Sequence, residues 1–338
     1  MTDSAQTGLV LSPANAGAYL ARRGVIAPDA RVEVSELGGG VSCTVLAVRA
    51  GARRLVVKQA LARLRVADEW TADQRRAITE AEALRVAAEL DTESVPKVLD
   101  SDPRAHALTI EQAPEDWRNW KVVLLGGEID SRIGARIGTA VGRWHRGTHG
   151  RADIASRFDD MEAFEQLRLG PYHRTVMARR PELAEPIGRC VERLLTEQRC
   201  LVHGDLSPKN VLVGESGDWI LDFEVAHCGN PVFDLAFMLN HLFLKAIHRP
   251  QDRPRLTACA GAFLAAYESE APRALVARPA ELLAQLGCLM AARVDGKSPA
   301  EYLAPAERDC ARALAAYLLL DTPGTIDAAW ELAAEVCR

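Results

Sequence analysis

The sequence contains no apolar run that approaches the ~18 residues a membrane-spanning helix needs. Its opening residues, Met1 to Gly8, are polar and lack a charged region followed by an apolar one, so no secretory signal is expected. There is no basic excess: 41 Lys and Arg stand against 46 Asp and Glu, for a formal net charge of -5. That argues against a dedicated nucleic-acid binder, though not against a local basic pocket for a nucleotide. None of the eight cysteines forms a C-x-x-C pair. Scattered through apolar stretches, they predict buried free thiols in a reducing, cytoplasmic setting. Internal repeats and low-complexity tracts are absent as well. What remains is a chain of 338 residues, 48% hydrophobic and 26% charged. These are ordinary globular values, with length enough for two units of roughly 100–200 residues each.

The first third reads as strands around one helix. Arg31–Leu37 alternates weakly, Gly38-Gly39-Gly40 interrupts it, and Thr44–Arg49 resumes. After a turn at Ala50-Gly51-Ala52 comes the β-branched run Leu55-Val56-Val57-Lys58. Thr71 to Leu90 is rich in Ala, Glu, Arg and Leu and reads as a helix; Pro96–Leu99 and Ala107–Glu111 read as strands. Beyond Glu111-Gln112-Ala113-Pro114 the character changes. Ile133, Ile137, Val141 and Trp144 recur at helical spacing, and the rest is mostly helix apart from a strand pair at Val211–Val213 and Trp219–Phe223. The expectation is an α+β chain in two lobes, a small N-terminal lobe of sheet and helix over 1–112 and a larger, mostly helical C-terminal lobe over 113–338.

Chemistry concentrates in His203-Gly204-Asp205-Leu206-Ser207-Pro208-Lys209-Asn210, followed twelve residues after Asn210 by Asp222-Phe223-Glu224. An Asp, an Asn five residues on and a second Asp after an intervening hairpin form the layout of a phosphotransferase site. Phosphoryl transfer is mostly positioning and neutralisation of negative charge. Asp205 is the candidate catalytic carboxylate that meets the acceptor hydroxyl. Asn210 and Asp222 are candidate ligands of Mg²⁺, which prefers hard oxygen donors. Side chains two apart on a strand point the same way, so Glu224 is expected to face the cleft with Asp222 and is a third candidate ligand. His203 is expected to prop the loop backbone, and Asp234 to accept hydrogen bonds from it.

Upstream, Gly39, Gly40 and Ser42 sit in a glycine loop between two strands, where backbone N–H groups can approach phosphates. Lys58 ends an apolar strand and suits contact with phosphate oxygens. Glu80 and Glu82 compete as its partner; two residues apart on a helix, only one can face the site.

These motifs resemble those of the aminoglycoside phosphotransferase superfamily, and within it 5-methylthioribose kinases. The likeness runs through Val57-Lys58-Gln59-Ala60-Leu61, Glu80-Ala81-Glu82-Ala83-Leu84, Asp222-Phe223-Glu224 and Gly229-Asn230-Pro231-Val232-Phe233-Asp234-Leu235-Ala236-Phe237, over roughly residues 30–250. It implies a bilobal protein-kinase-like fold with ATP between the lobes, Glu80 rather than Glu82 beside Lys58, and backbone contacts to the nucleobase at Glu111 and Ala113. It also places acceptors near the polar segment that holds Arg293, Asp295 and Lys297. Ser207-Pro208-Lys209-Asn210 is closer to the aminoglycoside kinase form of the loop, and Val41 stands where methylthioribose kinases carry Asn, whereas Asp222-x-Glu224 is the methylthioribose kinase form. The expected activity is ATP- and Mg²⁺-dependent phosphorylation of a small-molecule hydroxyl on a sugar-like metabolite or antibiotic, with GTP not excluded as donor. A 5-methylthioribose kinase proper and a nucleotide-binding module without turnover are the alternatives. A protein kinase is disfavoured, because only Val225–Gly229 separates Asp222-Phe223-Glu224 from Asn230-Pro231, and no Ala-Pro-Glu platform for a peptide follows. No nucleic-acid or membrane partner is expected.

Overall fold

The computed structural model describes residues 9–38, 42–64 and 71–337. Gly39 and Gly40 of the glycine loop lie outside the described residues. Five antiparallel strands form the N-terminal sheet: β1 (Val32–Glu36), β2 (Cys43–Ala50), β3 (Arg53–Ala60), β4 (Val98–Asp102) and β5 (Ala107–Glu111), in the order β1-β2-β3-β5-β4. Alternation along β3 sorts its residues between two faces. Leu55 and Val57 pack with the short helix α1 (Ala16–Arg22), and Gln59 on that face binds the backbone of Leu9 and Leu11. Lys58 therefore points to the other face, where α2 (Arg76–Leu90) lies. Nothing in the composition marked α1, whose stability comes from burying Tyr19 and Leu20 on the sheet.

The remainder is mostly helical. Trp120 of α3 (Trp120–Leu125) and Trp144 of α4 (Ser131–Thr148) are core residues. Gly134, Gly138 and Gly142 face the helix Arg253–Glu270, and a Cβ on Gly134 would lie 2.6 Å from the Cys259 carbonyl oxygen, so the close helix contact requires its absence. At the centre runs the helix Val232–His248, buried all round except at its end, as its near-continuous apolar sequence dictates.

The hairpin Val211–Gly214 with Gly217–Ile220 stops short of the expected end at Phe223. Asp222 has φ +72°, one of two non-glycine residues with positive φ among the described residues, and this leaves the extended conformation behind. Asp222 and Glu224 are consequently not on one strand face. Cys310 and Cys337 form a disulfide, with Cα atoms 5.3 Å apart, that ties the helix Pro305–Leu320 to the end of the helix Ile326–Val336. The other six cysteines are free and buried, as expected; this pair corrects the reading of all eight as thiols.

Candidate active site

Local chemistry builds the loop that carries Asp205. Strand residues Cys200–Val202 lead into Gly204, whose φ is +75° and where a Cβ would lie 2.6 Å from the Val225 carbonyl oxygen. Only glycine fits such a turn without strain. Asp234, fully buried at the start of the central helix, accepts hydrogen bonds from the backbone N–H groups of His203 (2.7 Å) and Gly204 (2.9 Å). His145 also contacts it, at 3.3 Å. Burial opposes ionisation of Asp234, but His145 and the loop N–H groups overcome it and hold the carboxyl below its ordinary value. The ring of His203 accepts from the Asp205 N–H at Nδ1 (3.1 Å) and meets the Leu221 carbonyl through Nε2 (3.0 Å). His203 and Asp234 thus hold the loop backbone in place.

Asp205 is gripped from two sides. The Asn210 side-chain amide donates to its carboxylate (2.8 Å) and to its own carbonyl (3.0 Å). Arg168 lies 2.7 Å from the other carboxylate oxygen and donates to the Gly204 carbonyl at 2.9 Å. The arginine comes from a π-helical segment, Glu165–Arg174, containing Pro171. Such widened turns recur at functional sites.

A second cluster of charges joins β3, α2 and Asp222. Lys58 Nζ lies 2.7 Å from Glu80 and 2.6 Å from Asp222. Glu80, and not Glu82, is therefore the partner. Burial works against the Lys58 ammonium, but Asp222 and Glu80 overcome it and hold it well above the ordinary lysine value. Burial likewise opposes Asp222, yet Lys58 and Lys209 hold its carboxyl far below the usual carboxylate range. Glu80 is pushed up to about 7, by burial against the pull of Lys58. One turn before Glu80, Arg76 lies 2.9 Å from Glu224 and also donates to the carbonyls of Ser42 (2.6 Å) and Leu61 (2.7 Å). Glu224 is thus tied to α2, where the continuous-strand argument had it aimed at the metal.

Asp205, Asp222, Glu224, Ser42 and Arg293 line one cavity of about 370 Å³. Asp295 does not: its carboxylate is held by Arg180 (3.0 Å) and Arg312 (2.9 Å) on the far side of its helix. At the sheet's end, Glu111 pairs across to Leu55 and its N–H donates to Lys97 (3.0 Å), with Ala113 just beyond. Arg76 and Arg168 were not singled out in the sequence. Arg76 had one signal, its place four residues before Glu80 on the same helix face; Arg168 had none.

The described residues contain no group of three His, Cys, Asp or Glu able to hold a metal alone. Asn210 and Asp222 do offer hard oxygens. Because Asn210 spends its amide N–H groups on Asp205, its carbonyl oxygen is left as an acceptor, which is the donor set a phosphate-bound Mg²⁺ takes alongside phosphate and water oxygens.

A small sheet with a buried Lys–Glu pair, above a helical unit whose loop presents Asp, Asn and a further Asp, defines a protein-kinase-like phosphotransferase. Residues 33–275 match the family model APH, described as the phosphotransferase enzyme family, and the chain belongs to that family. It is, by that membership, a small-molecule kinase. Methylthioribose kinases of Bacillus thuringiensis subsp. konkukian (strain 97-27) and Bacillus cereus (strain AH187) are each 24% identical over 268 residues, covering 72% of this chain and 68% of the relative. Among solved structures, an amicoumacin kinase in complex with AMP-PNP, Ca²⁺ and Ami has a TM-score of 0.55 at 16% identity, covering 91% of this chain and 95% of that one. A spectinomycin phosphotransferase in complex with ADP and spectinomycin has a TM-score of 0.54 at 11% identity, covering 96% and 94%. These structural likenesses concern the fold. No helix among the described residues is long and apolar enough to cross a membrane.

Proposed function

We propose that the chain transfers the γ-phosphoryl group of ATP, with Mg²⁺, to a hydroxyl of a sugar-like metabolite or antibiotic. The observation that supports this best is the convergence of Asp205 and Asp222 on one cavity, with Lys58 ion-paired to Asp222 beside it and Arg168 holding Asp205. In this reading the nucleotide lies between the units 1–112 and 113–338, with its base at Glu111 and Ala113 and its phosphates near Gly39, Gly40, Ser42 and Lys58. Lys58 has three N–H donors; Glu80 and Asp222 take two and one is left for a phosphate oxygen. Asn210 and Asp222 would hold Mg²⁺, with Glu224 as a candidate third ligand once freed from Arg76. When bound, the ion offsets charge on the phosphates. Asp205 accepts the hydrogen of the acceptor hydroxyl and aligns that oxygen for attack; Arg168 and Asn210 fix the carboxylate's direction, so little reorganisation is needed at transfer.

The test is an ADP-release screen with ATP and GTP in parallel, over methylthioribose, aminoglycosides, nucleoside antibiotics, choline, simple sugars and sugar acids. Acceptor-dependent release that disappears in Asp205→Asn is expected. Nucleotide-dependent thermal stabilisation with no release for any acceptor would instead identify a binding module. Methylthioribose belongs in the panel because the curated relatives are methylthioribose kinases.

A further inference from the structure

The cavity beside Asp205 carries more positive charge than its own carboxylates balance. Its four acids are all committed: Asp205 to Arg168, Asp222 to Lys58, Glu224 to Arg76 and Glu301 to Lys121. Among the described residues, two lining cations, Arg293 and Lys297, have no carboxylate within ion-pair distance, whereas Lys209 acts on Asp222. Arg293 is 9% exposed and its Nη1 donates to the Ser298 carbonyl (2.5 Å) and hydroxyl (2.8 Å). Its Nε is buried with no partner, as is the hydroxyl of the neighbouring Tyr302. Behind this wall lies a further cation, Lys245 of the helix Val232–His248. It is fully buried, its Nζ donates to the His241 carbonyl at 3.4 Å and to no other group among the described residues, and it sits 5.6 Å from the centre of the Tyr302 ring. The Lys121 ammonium is 5.9 Å from the centre of that same ring.

The surplus is not explained by the nucleotide. The nucleotide cation Lys58 comes from β3 and is matched by two carboxylates. Arg293, Lys245 and Lys121 come from helices of the other unit and Lys297 from the bend that follows Asp295, with Glu301 the carboxylate paired among them. The field they make is felt by their neighbours. Burial, then Lys121 and Arg293, push Lys245 down to about 7, and burial, then Lys245, Arg293, Lys121 and Lys209, hold His241 well below the ordinary imidazole value. A buried cation with no counter-ion destabilises the fold, a cost that a bound anion removes.

We infer that the phosphoryl acceptor is itself an anion: a small hydroxylated molecule whose carboxylate or phosphate group sits against Arg293, Lys297 and Lys121 while its hydroxyl meets Asp205. This rests on the phosphoryl-transfer reading of the site. An aminoglycoside or other polyamine would meet like charge on this wall, which costs affinity in place of supplying it. The unpartnered Nε–H of Arg293 suits an oxyanion, and the phenol of Tyr302 supplies a further donor. The transfer is otherwise unchanged: the γ-phosphorus bonds to the hydroxyl oxygen, the bond to the β-phosphate oxygen breaks, ADP leaves, and the hydroxyl proton goes to Asp205.

The test compares acceptors that share a skeleton and differ in one end group: glycerate, glyceramide and 3-amino-1,2-propanediol; and gluconate, gluconamide and glucamine. Glycerol 1-phosphate separates phosphate from carboxylate recognition. Where any of these turns over, the anionic member should exceed its amide at least tenfold in kcat/KM, and Arg293→Met and the exposed Lys297→Gln should each reduce that ratio. A higher kcat/KM for the amide or amine overturns the inference while leaving phosphoryl transfer intact. Where none turns over, binding decides. With AMP-PNP and Mg²⁺ filling the nucleotide site, calorimetry should detect inorganic phosphate or malonate, weakened at least fivefold by Lys297→Gln. Such binding supports the anion site while counting against phosphoryl transfer, and no binding of either probe overturns the inference.

Discussion

Replacing Lys245 with methionine tests the charge account of the acceptor wall through stability alone. The side chain is fully buried, with a backbone carbonyl at 3.4 Å and no carboxylate partner among the described residues. Burial and the neighbouring Lys121 and Arg293 lower its ammonium from 10.5 to about 7, with Glu301 opposing. The unfolded chain therefore takes up the proton before the folded one as pH falls. Stability is lost progressively from about pH 10.5 down to about pH 7, and the full penalty persists below that. A gap of that width corresponds to about 5 kcal/mol as an upper bound. Methionine has nearly the same volume and no charge, so it keeps the packing and removes the penalty. Urea unfolding at pH 6 and pH 10 should show Lys245→Met more stable than the parent by about 2–5 kcal/mol at pH 6, with the difference shrinking toward zero at pH 10. A variant that is less stable at pH 6, or whose gain does not vary with pH, refutes the claim that an uncompensated ammonium is buried there.

Three further substitutions probe the framework. Arg76→Met strands the buried Glu224 carboxylate and should cost about 3–5 kcal/mol, read from the urea midpoint; a loss under about 1 kcal/mol would show that Glu224 is hydrated in solution. Gly204→Ala forces a Cβ against the Val225 carbonyl at positive φ and should cost about 2 kcal/mol or more together with most of the activity; a fully active, equally stable variant would contradict the loop geometry. Arg168→Gln frees one side of the Asp205 carboxylate and should lower kcat about tenfold or more at unchanged ATP affinity, with partial recovery in Arg168→Lys; equal losses in kcat and ATP affinity would make Arg168 a general structural residue.

What the sequence made legible was local. His203, Gly204, Asp205 and Asn210 lie within eight residues, so their spacing carries their geometry. Alternation along β3 puts Lys58 on the face opposite Leu55 and Val57, and helical period separates Glu80 from Glu82. The failures are equally physical. The positive φ at Asp222 breaks the strand on which its relation to Glu224 was argued, and no composition signal marks such a residue. Asp295 and Arg293 are two apart on a helix and so face different ways, one to Arg180 and Arg312, the other to the cavity. Arg168, Lys245 and Tyr302 reach the site from segments far apart in the chain, and the pairing of Cys310 with Cys337 spans 27 residues, so none of these has a periodicity to betray it.

The central claim is that Asp205 acts on the acceptor hydroxyl and not on the nucleotide. Single-turnover phosphoryl transfer and ATP binding, measured side by side on folded Asp205→Asn, test it directly. Transfer should slow by about 10²–10⁴-fold while the Kd for ATP changes less than about threefold. Transfer at the parental rate, or a loss accounted for by weaker ATP binding, would contradict it.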